Sequence, residues 1–124
     1  GHMLHFIIEE FGKPLEVAVN HQRLLAALVF ERLTEWLPKQ KISRTGDDIF
    51  IDDGKLSISI ATVSPVSALI HFAVNITNVD TPVKTACLSE LGIHQREFAQ
   101  RVSAAFIEEL QTIKEACAKV HWVR

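Results

Sequence analysis

The chain has no Gly-rich phosphate loop, no Cys-x-x-Cys pair, no His-Glu-x-x-His and no Gly-x-Ser-x-Gly. Those absences remove most of the support for the common nucleotide folds, paired-cysteine zinc sites, zincin proteases and serine hydrolases. Beyond Gly1 the only glycines are Gly12, Gly46, Gly54 and Gly92, too few for an extended backbone cradle around phosphates. Cysteine is scarce as well. Cys87 and Cys117 could form at most one bridge, and free thiols in a reducing cytoplasm are the expected state. Neither sign of charge dominates: 13 Lys+Arg against 15 Asp+Glu leave a net charge of -2. That balance lacks the basic footprint nucleic-acid binding needs. The longest apolar run, Leu24 to Phe30, is too short to span a bilayer, and no basic leader precedes an apolar stretch. A cytoplasmic protein with no nucleic-acid partner and no membrane partner is expected.

What remains is ordinary globular material: 124 residues, 48% hydrophobic and 23% charged, enough to bury a core without staples. Gly1-His2-Met3 reads as a cloning scar ending in the start methionine, so His2 is set aside. Residues 4–124 read as a single domain.

Apolar spacing supplies the elements. Leu4, Ile7, Ile8 and Phe11 fall at helical intervals, and Gly12 with Pro14 interrupts them, which predicts a short first helix. From Leu15 to Leu37, Ala18, Leu25, Leu28, Val29, Leu33 and Trp36 recur near a 3.6 period, which predicts a long amphipathic helix ended by Pro38. The period then changes to two. Asp48 to Asp52 and Lys55 to Ile60 read as strands joined by Asp53-Gly54, a type I′ turn signal. Ala68 to Ile76 is a third strand, with Ile70, Phe72, Val74 and Ile76 opposite His71, Ala73 and Asn75. Lys41 to Arg44 could lead into this meander. Asn78 to Gly92, including Pro82, is irregular. A last helix over His94 to Lys119 carries a stripe of Phe98, Val102, Phe106, Leu110, Ile113 and Cys117. The expected architecture is α+β: an antiparallel meander of three or four strands packed on one face by two long helices.

His5, His21, His71, His94 and His121 include no pair at i, i+4, so scattered histidines and no metal site are expected. Cys117 falls in the helical stripe and reads as a small buried apolar group, whereas Cys87 lies in the irregular segment.

The hairpin is the informative stretch. A turn at Asp53-Gly54 sets Lys55 opposite Asp52, Ser57 opposite Phe50 and Ser59 opposite Asp48. One face would then show Asp48, Asp52, Lys55, Ser57 and Ser59, and the other Ile49, Ile51, Leu56, Ile58 and Ile60. The polar face is either a solvated surface with an incidental ion pair or a set of convergent donors. With His71 and Asn75 on the polar parity of the next strand, the second reading is a ligand surface.

Gly46 to Ser57 resembles the central hairpin of biotin and lipoate protein ligases, where Asn-Asp, an apolar strand, a short turn and a Lys-Leu pair build part of an acyl-adenylate site. His71-Phe72-Ala73-Val74-Asn75-Ile76 is similar to their glycine-rich Gly-Ile-Asn-Val strand, with Asn75 matching the Asn. The resemblance implies that Lys55 contacts the adenylate phosphate and acyl carbonyl, that Asp48 is its acidic partner, and that Asn75 lies near the nucleotide. It implies ATP with Mg²⁺ and a small carboxylate as ligands; Ser57, Ser59 and His71, from the convergent polar surface, are expected to bind the ligand beside Asn75. Asp47 stands where those ligases have Asn, and His71 to Ala73 lacks their glycine pair. Nothing here matches their upstream Arg/Gly-rich adenylate loop and early strands.

Over its whole length the chain also resembles the domain-of-unknown-function family DUF366. The marks are Leu4 to Glu9, Gln22 to Leu25, Lys55 to Ser67 and the ending Lys119 to Val123. Two functional readings stand: a domain that handles an acyl-adenylate, and a non-catalytic ligand-binding or oligomerisation module on the same scaffold. A sheet without early strands leaves edges open, so a homodimer is expected.

Overall fold

The structure is a computed structural model and describes residues 2–78 and 84–119. Pro82, His121 and the family marks at Val120 to Val123 lie outside the described residues. The order is β1 (Met3–Phe11), α1 (Leu15–Trp36), β2 (Ile42–Thr45), β3 (Asp48–Ile51), β4 (Gly54–Lys55), β5 (Ser57–Val63), β6 (Ser67–Asn75) and α2 (Gln95–Ala118). The strands form two antiparallel sheets, β1-β6-β5 and β2-β3-β4. The α+β class with two long helices is as expected; the sheet is larger and divided.

The predicted first helix is a strand. Met3–Phe11 pairs with β6 along its full length, from Met3 opposite Asn75 to Phe11 opposite Ser67. Leu4, Phe6 and Ile8 turn to the core, while Ile7 (72% exposed) and Phe11 (70%) stand on the open face. Apolar residues on both faces hide the two-residue alternation and imitate a helical stripe. The β-branched and aromatic content, with the shortness of the run, is what favours a strand here.

The hairpin turn sits one residue earlier than Asp53-Gly54. Ile51 pairs with Gly54 and Phe50 with Lys55, so Asp52 and Asp53 occupy the turn, with φ of 48° and 68°. Aspartate tolerates this left-handed region better than most residues, which lets the turn form without glycine. Gly54 is needed for proximity instead. A Cβ there would lie 2.9 Å from the carbonyl carbon of Thr85.

The second hairpin strand also breaks in two. Leu56 donates its amide to the Ile49 carbonyl (2.9 Å), and the Ile49 amide reaches the Ser57 hydroxyl (3.1 Å). From Ser57 onward the chain pairs with β6, Ser57 opposite Val74 and Val63 opposite Ala68. Leu56 and Ser57 are both buried, so the alternation slips where the chain passes between sheets. Ile58 and Ile60, expected in the core with Ile49, Ile51 and Leu56, each stay 59% exposed as a result.

Helix α1 buries Ala18, Gln22, Leu25, Ala26, Leu28, Val29 and Leu33 against both sheets. Ala18 meets Ala68 and Ile70, small side chains that let helix and strand approach closely. Phe72, Val74, Leu33 and Leu56 are fully enclosed. Burial of each such side chain contributes about 1.5–3 kcal/mol. Helix α2 begins at His94, whose Nδ1 accepts the Arg96 amide at 3.2 Å. Its stripe is buried at Phe98, Val102 and Phe106 and packs against the core through the partly buried Leu110; Ile113 is exposed and so is Cys117. Cys87 is the buried thiol, the reverse of the expected assignment.

Candidate functional site

The hairpin brings Asp48 and Lys55 together. Lys55 Nζ lies 3.3 Å from Asp48 Oδ1, and each side chain is 36% exposed. The pairing is diagonal: Phe50 faces Lys55 directly, and Asp48 lies two residues back on the same side of β3. Asp52 is engaged elsewhere, accepting the Lys41 amide at 3.0 Å and the Gln40 side chain at 3.2 Å. The ion pair expected from the hairpin is therefore with Asp48, because the turn is displaced by one residue.

The backbone of Lys55 is held on several sides. Its amide donates to the Lys84 carbonyl (3.1 Å), and its carbonyl accepts the Ala86 amide (3.0 Å) in a parallel bridge centred on Thr85. Asn75, nearly buried at the end of β6, donates through Nδ2 to the carbonyls of Lys55 (3.3 Å) and Ala86 (3.1 Å). Lys84 Nζ closes the turn on the Asp52 carbonyl at 2.8 Å.

The serine side chains turn to the helix side of the sheet, away from the His71 ring. Ser57 is buried and spends its hydroxyl on the Ile49 amide. Ser59 accepts from Gln22 Nε2 (2.8 Å) and donates to the His71 carbonyl (2.9 Å). Gln22 reaches on to Asp47 Oδ2 at 3.3 Å, tying α1 to the turn before β3. The single polar face expected of the hairpin is thus divided, because the chain changes sheets between Leu56 and Ser57.

The open face of β1-β6-β5 carries His71, and diagonally across from it, opposite Ala73, a residue that the sequence pattern leaves among the scattered histidines. His5 Nδ1 lies 2.7 Å from His71 Nε2, with ring centroids 4.9 Å apart. The two rings line a cavity of about 430 Å³ with Met3, Ile58, Ser59, Ile60 and Ala73. Reading Met3–Phe11 as a strand is what would have disclosed the pair, since His5 then falls beside β6. A second polar pair, His21 Nδ1 with Glu10 Oε1 (2.5 Å), joins α1 to β1 under the ring edge of Phe106. Among the described residues no three His, Cys, Asp or Glu side chains gather as metal ligands, and no helix is long and apolar enough to cross a membrane.

Three comparisons bear on this geometry. Residues 1–121 match the family described as a domain of unknown function, DUF366. An uncharacterised protein of Methanocaldococcus jannaschii is 30% identical over 119 residues, which cover 94% of this chain and 53% of that protein. The chain therefore spans about half the length of that curated relative. A solved protein of unknown function from Pyrococcus horikoshi is 42% identical with a TM-score of 0.88, the match covering 98% of this chain and 65% of that one. The biotin protein ligase of Aquifex aeolicus, solved with biotin and ATP, superposes with a TM-score of 0.73 at 21% identity, over 91% of this chain and 52% of the ligase. That likeness establishes the fold. With the family match spanning nearly every residue, the chain belongs to the DUF366 family and has the biotin protein ligase fold.

Proposed function

We propose that the chain handles an acyl-adenylate, or the nucleotide and carboxylate that form one, with Lys55 as its charged anchor. The observation that supports this reading is a half-exposed ammonium on a backbone tied to Lys84, Ala86 and Asn75. When a carboxylate oxygen attacks the α-phosphorus of ATP and the bond to pyrophosphate breaks, negative charge builds on the phosphoryl oxygens. A lysine already fixed in place stabilises that charge without reorganising. Asp48 orients Lys55 and supplies one carboxylate to a Mg²⁺ carried in by the nucleotide phosphates. Asn75, Ser57 and Ser59 act as positioning residues through their bonds to Lys55, Ile49 and His71. The 430 Å³ cavity, floored by Ile58, Ile60 and Ala73 with His71 at its polar side, suits a small acyl group.

The test is carboxylate-dependent ATP–pyrophosphate exchange with biotin, lipoate and octanoate. Exchange by the parent that disappears in Lys55→Ala supports the reading; no exchange with any acid refutes catalysis by this chain.

Binding without turnover is the second reading. It is favoured by the share of the ligase that the chain covers, 52%, and by His71 and Ala73 standing where the resembling ligase strand has glycines. Thermal stabilisation by ATP or a non-hydrolysable acyl-adenylate, without pyrophosphate release, distinguishes it. A ligand at one hundred times its Kd adds about 2.7 kcal/mol. Free Cys87 and Cys117 accord with a reducing compartment, so the reading is of a cytoplasmic protein.

The reading includes a homodimer through β5. This edge strand, Ser57 to Val63, has no charge and no proline, and it exposes Ile58, Ile60 and Val63. Such an edge is unprotected against pairing unless another strand covers it. Antiparallel pairing centred on Ile60 would set that residue beside its own counterpart. Light scattering should report a dimer for the parent and a monomer for Ile60→Lys; a monomeric parent refutes the assembly.

A further inference from the structure

We propose that His5 and His71 form a binding site for a late first-row transition-metal ion, with His5 Nδ1 and His71 Nε2 as its imidazole ligands. The two nitrogens converge from neighbouring strands, 2.7 Å apart, on the exposed side of the sheet. In the hydrogen bond between them one ring must donate its N–H and the other accept, so a proton occupies the space that a cation could take. Imidazole nitrogens suit zinc, copper and nickel. Tetrahedral coordination with metal–nitrogen bonds of about 2.0–2.1 Å would hold the two nitrogens about 3.3 Å apart. A change of that size needs only a small rotation of two surface rings, with no backbone movement.

The surroundings favour a cation held by neutral donors. Ile58, Ile60 and Ala73 line the same cavity and offer the rings no competing polar partner. Met3 lines it too, and its thioether is a soft donor of the kind that selects copper(I). Two imidazoles are fewer than the three protein ligands of a typical open zinc site, so water or a bound ligand would complete the coordination from the cavity. The inference does not use Lys55, although the ion would lie in the cavity that the proposed function gives to the acyl group; its test uses no nucleotide or carboxylate, so the two readings fail separately.

Zn²⁺ and Ni²⁺ are titrated calorimetrically into the full chain carrying His2→Ala, which removes the leader imidazole. The expected result is one ion per chain, with affinity reduced more than about 10-fold, the least loss typical of removing even an outer partner of a metal ligand, in both His5→Ala and His71→Ala. The more conservative His71→Gln repeats the measurement should His71→Ala fail to fold. Ring resonances of His5 and His71, and of no other histidine, should broaden when Ni²⁺ is added. Absence of binding, equal binding by the single variants, or broadening centred on His21, His94 or His121 would overturn the site.

Discussion

Asn75 and Lys55 belong to different sheets, yet the Asn75 amide nitrogen donates to the Lys55 carbonyl at 3.3 Å and to the Ala86 carbonyl at 3.1 Å. One side chain thereby fastens the end of β6 to the strand bearing the candidate lysine and to the segment beside it. The family resemblance implies a place near a nucleotide for Asn75, and its two hydrogen bonds also make it a brace. Asn75→Ala should destabilise the fold by about 1–3 kcal/mol, the cost of leaving the buried Ala86 carbonyl unpaired, since the Lys55 carbonyl keeps the Ala86 amide. Urea denaturation measures it, and a loss below a few tenths of a kcal/mol would show the brace to be idle.

Replacing the lysine should do the opposite. The Lys55–Asp48 pair is over a third exposed, so Lys55→Ala is expected to cost only about 0.2–1 kcal/mol. Stabilisation by ATP or an acyl-adenylate analogue should nevertheless vanish. Equal ligand responses from parent and variant in a thermal-shift assay would return Lys55 to an ordinary solvated surface.

Gly54 and Asp53 should exchange their apparent importance. Gly54→Ala places a methyl 2.9 Å from the Thr85 backbone and is expected to cost about 1–3 kcal/mol as overpacking. Asp53→Gly should be neutral or stabilising by up to about 1 kcal/mol, because Asp53 holds a φ of 68° that glycine adopts freely. Chemical denaturation of both variants decides it; the reverse order would restore the turn to Asp53-Gly54.

The two thiols provide a direct check on α2. Cys117 is exposed and Cys87 buried, so an aromatic disulfide reagent should modify one thiol at once and the second only on unfolding. Peptide mapping should assign the fast site to Cys117. Rapid labelling of Cys87 would mean that its segment does not pack as described.

The pattern of what could be read in advance follows from which forces act locally. Leu15 to Trp36 was legible because one helix face meets one core, and Ile70, Phe72 and Val74 because an alternating strand covers it. Met3–Phe11 was misread because Ile7 and Phe11 face outward, so apolar residues occur on both sides. Gly54 carried a turn signal that belonged to a long-range contact with Thr85, which no local pattern encodes. The Asp48–Lys55 pairing was suggested by the ligase resemblance despite the shifted turn. The His5–His71 pair depended on the strand that was missed, and the division of the serines from His71 depended on the slip at Leu56-Ser57.

That slip has a consequence for how the molecule opens. The stretch from Gly54 to Val63 is bonded in turn to Ile51, the Thr85 segment, Ile49 and β6. Its first part, Gly54 to Ser57, cannot detach without breaking into both sheets, so its inward amides should exchange with solvent only in global unfolding. The C-terminal half of α2, beyond Phe106, has few such ties and should exchange first. The slowest-exchanging core would then include the amide of Lys55 itself, giving the candidate anchor the most persistent backbone in the chain.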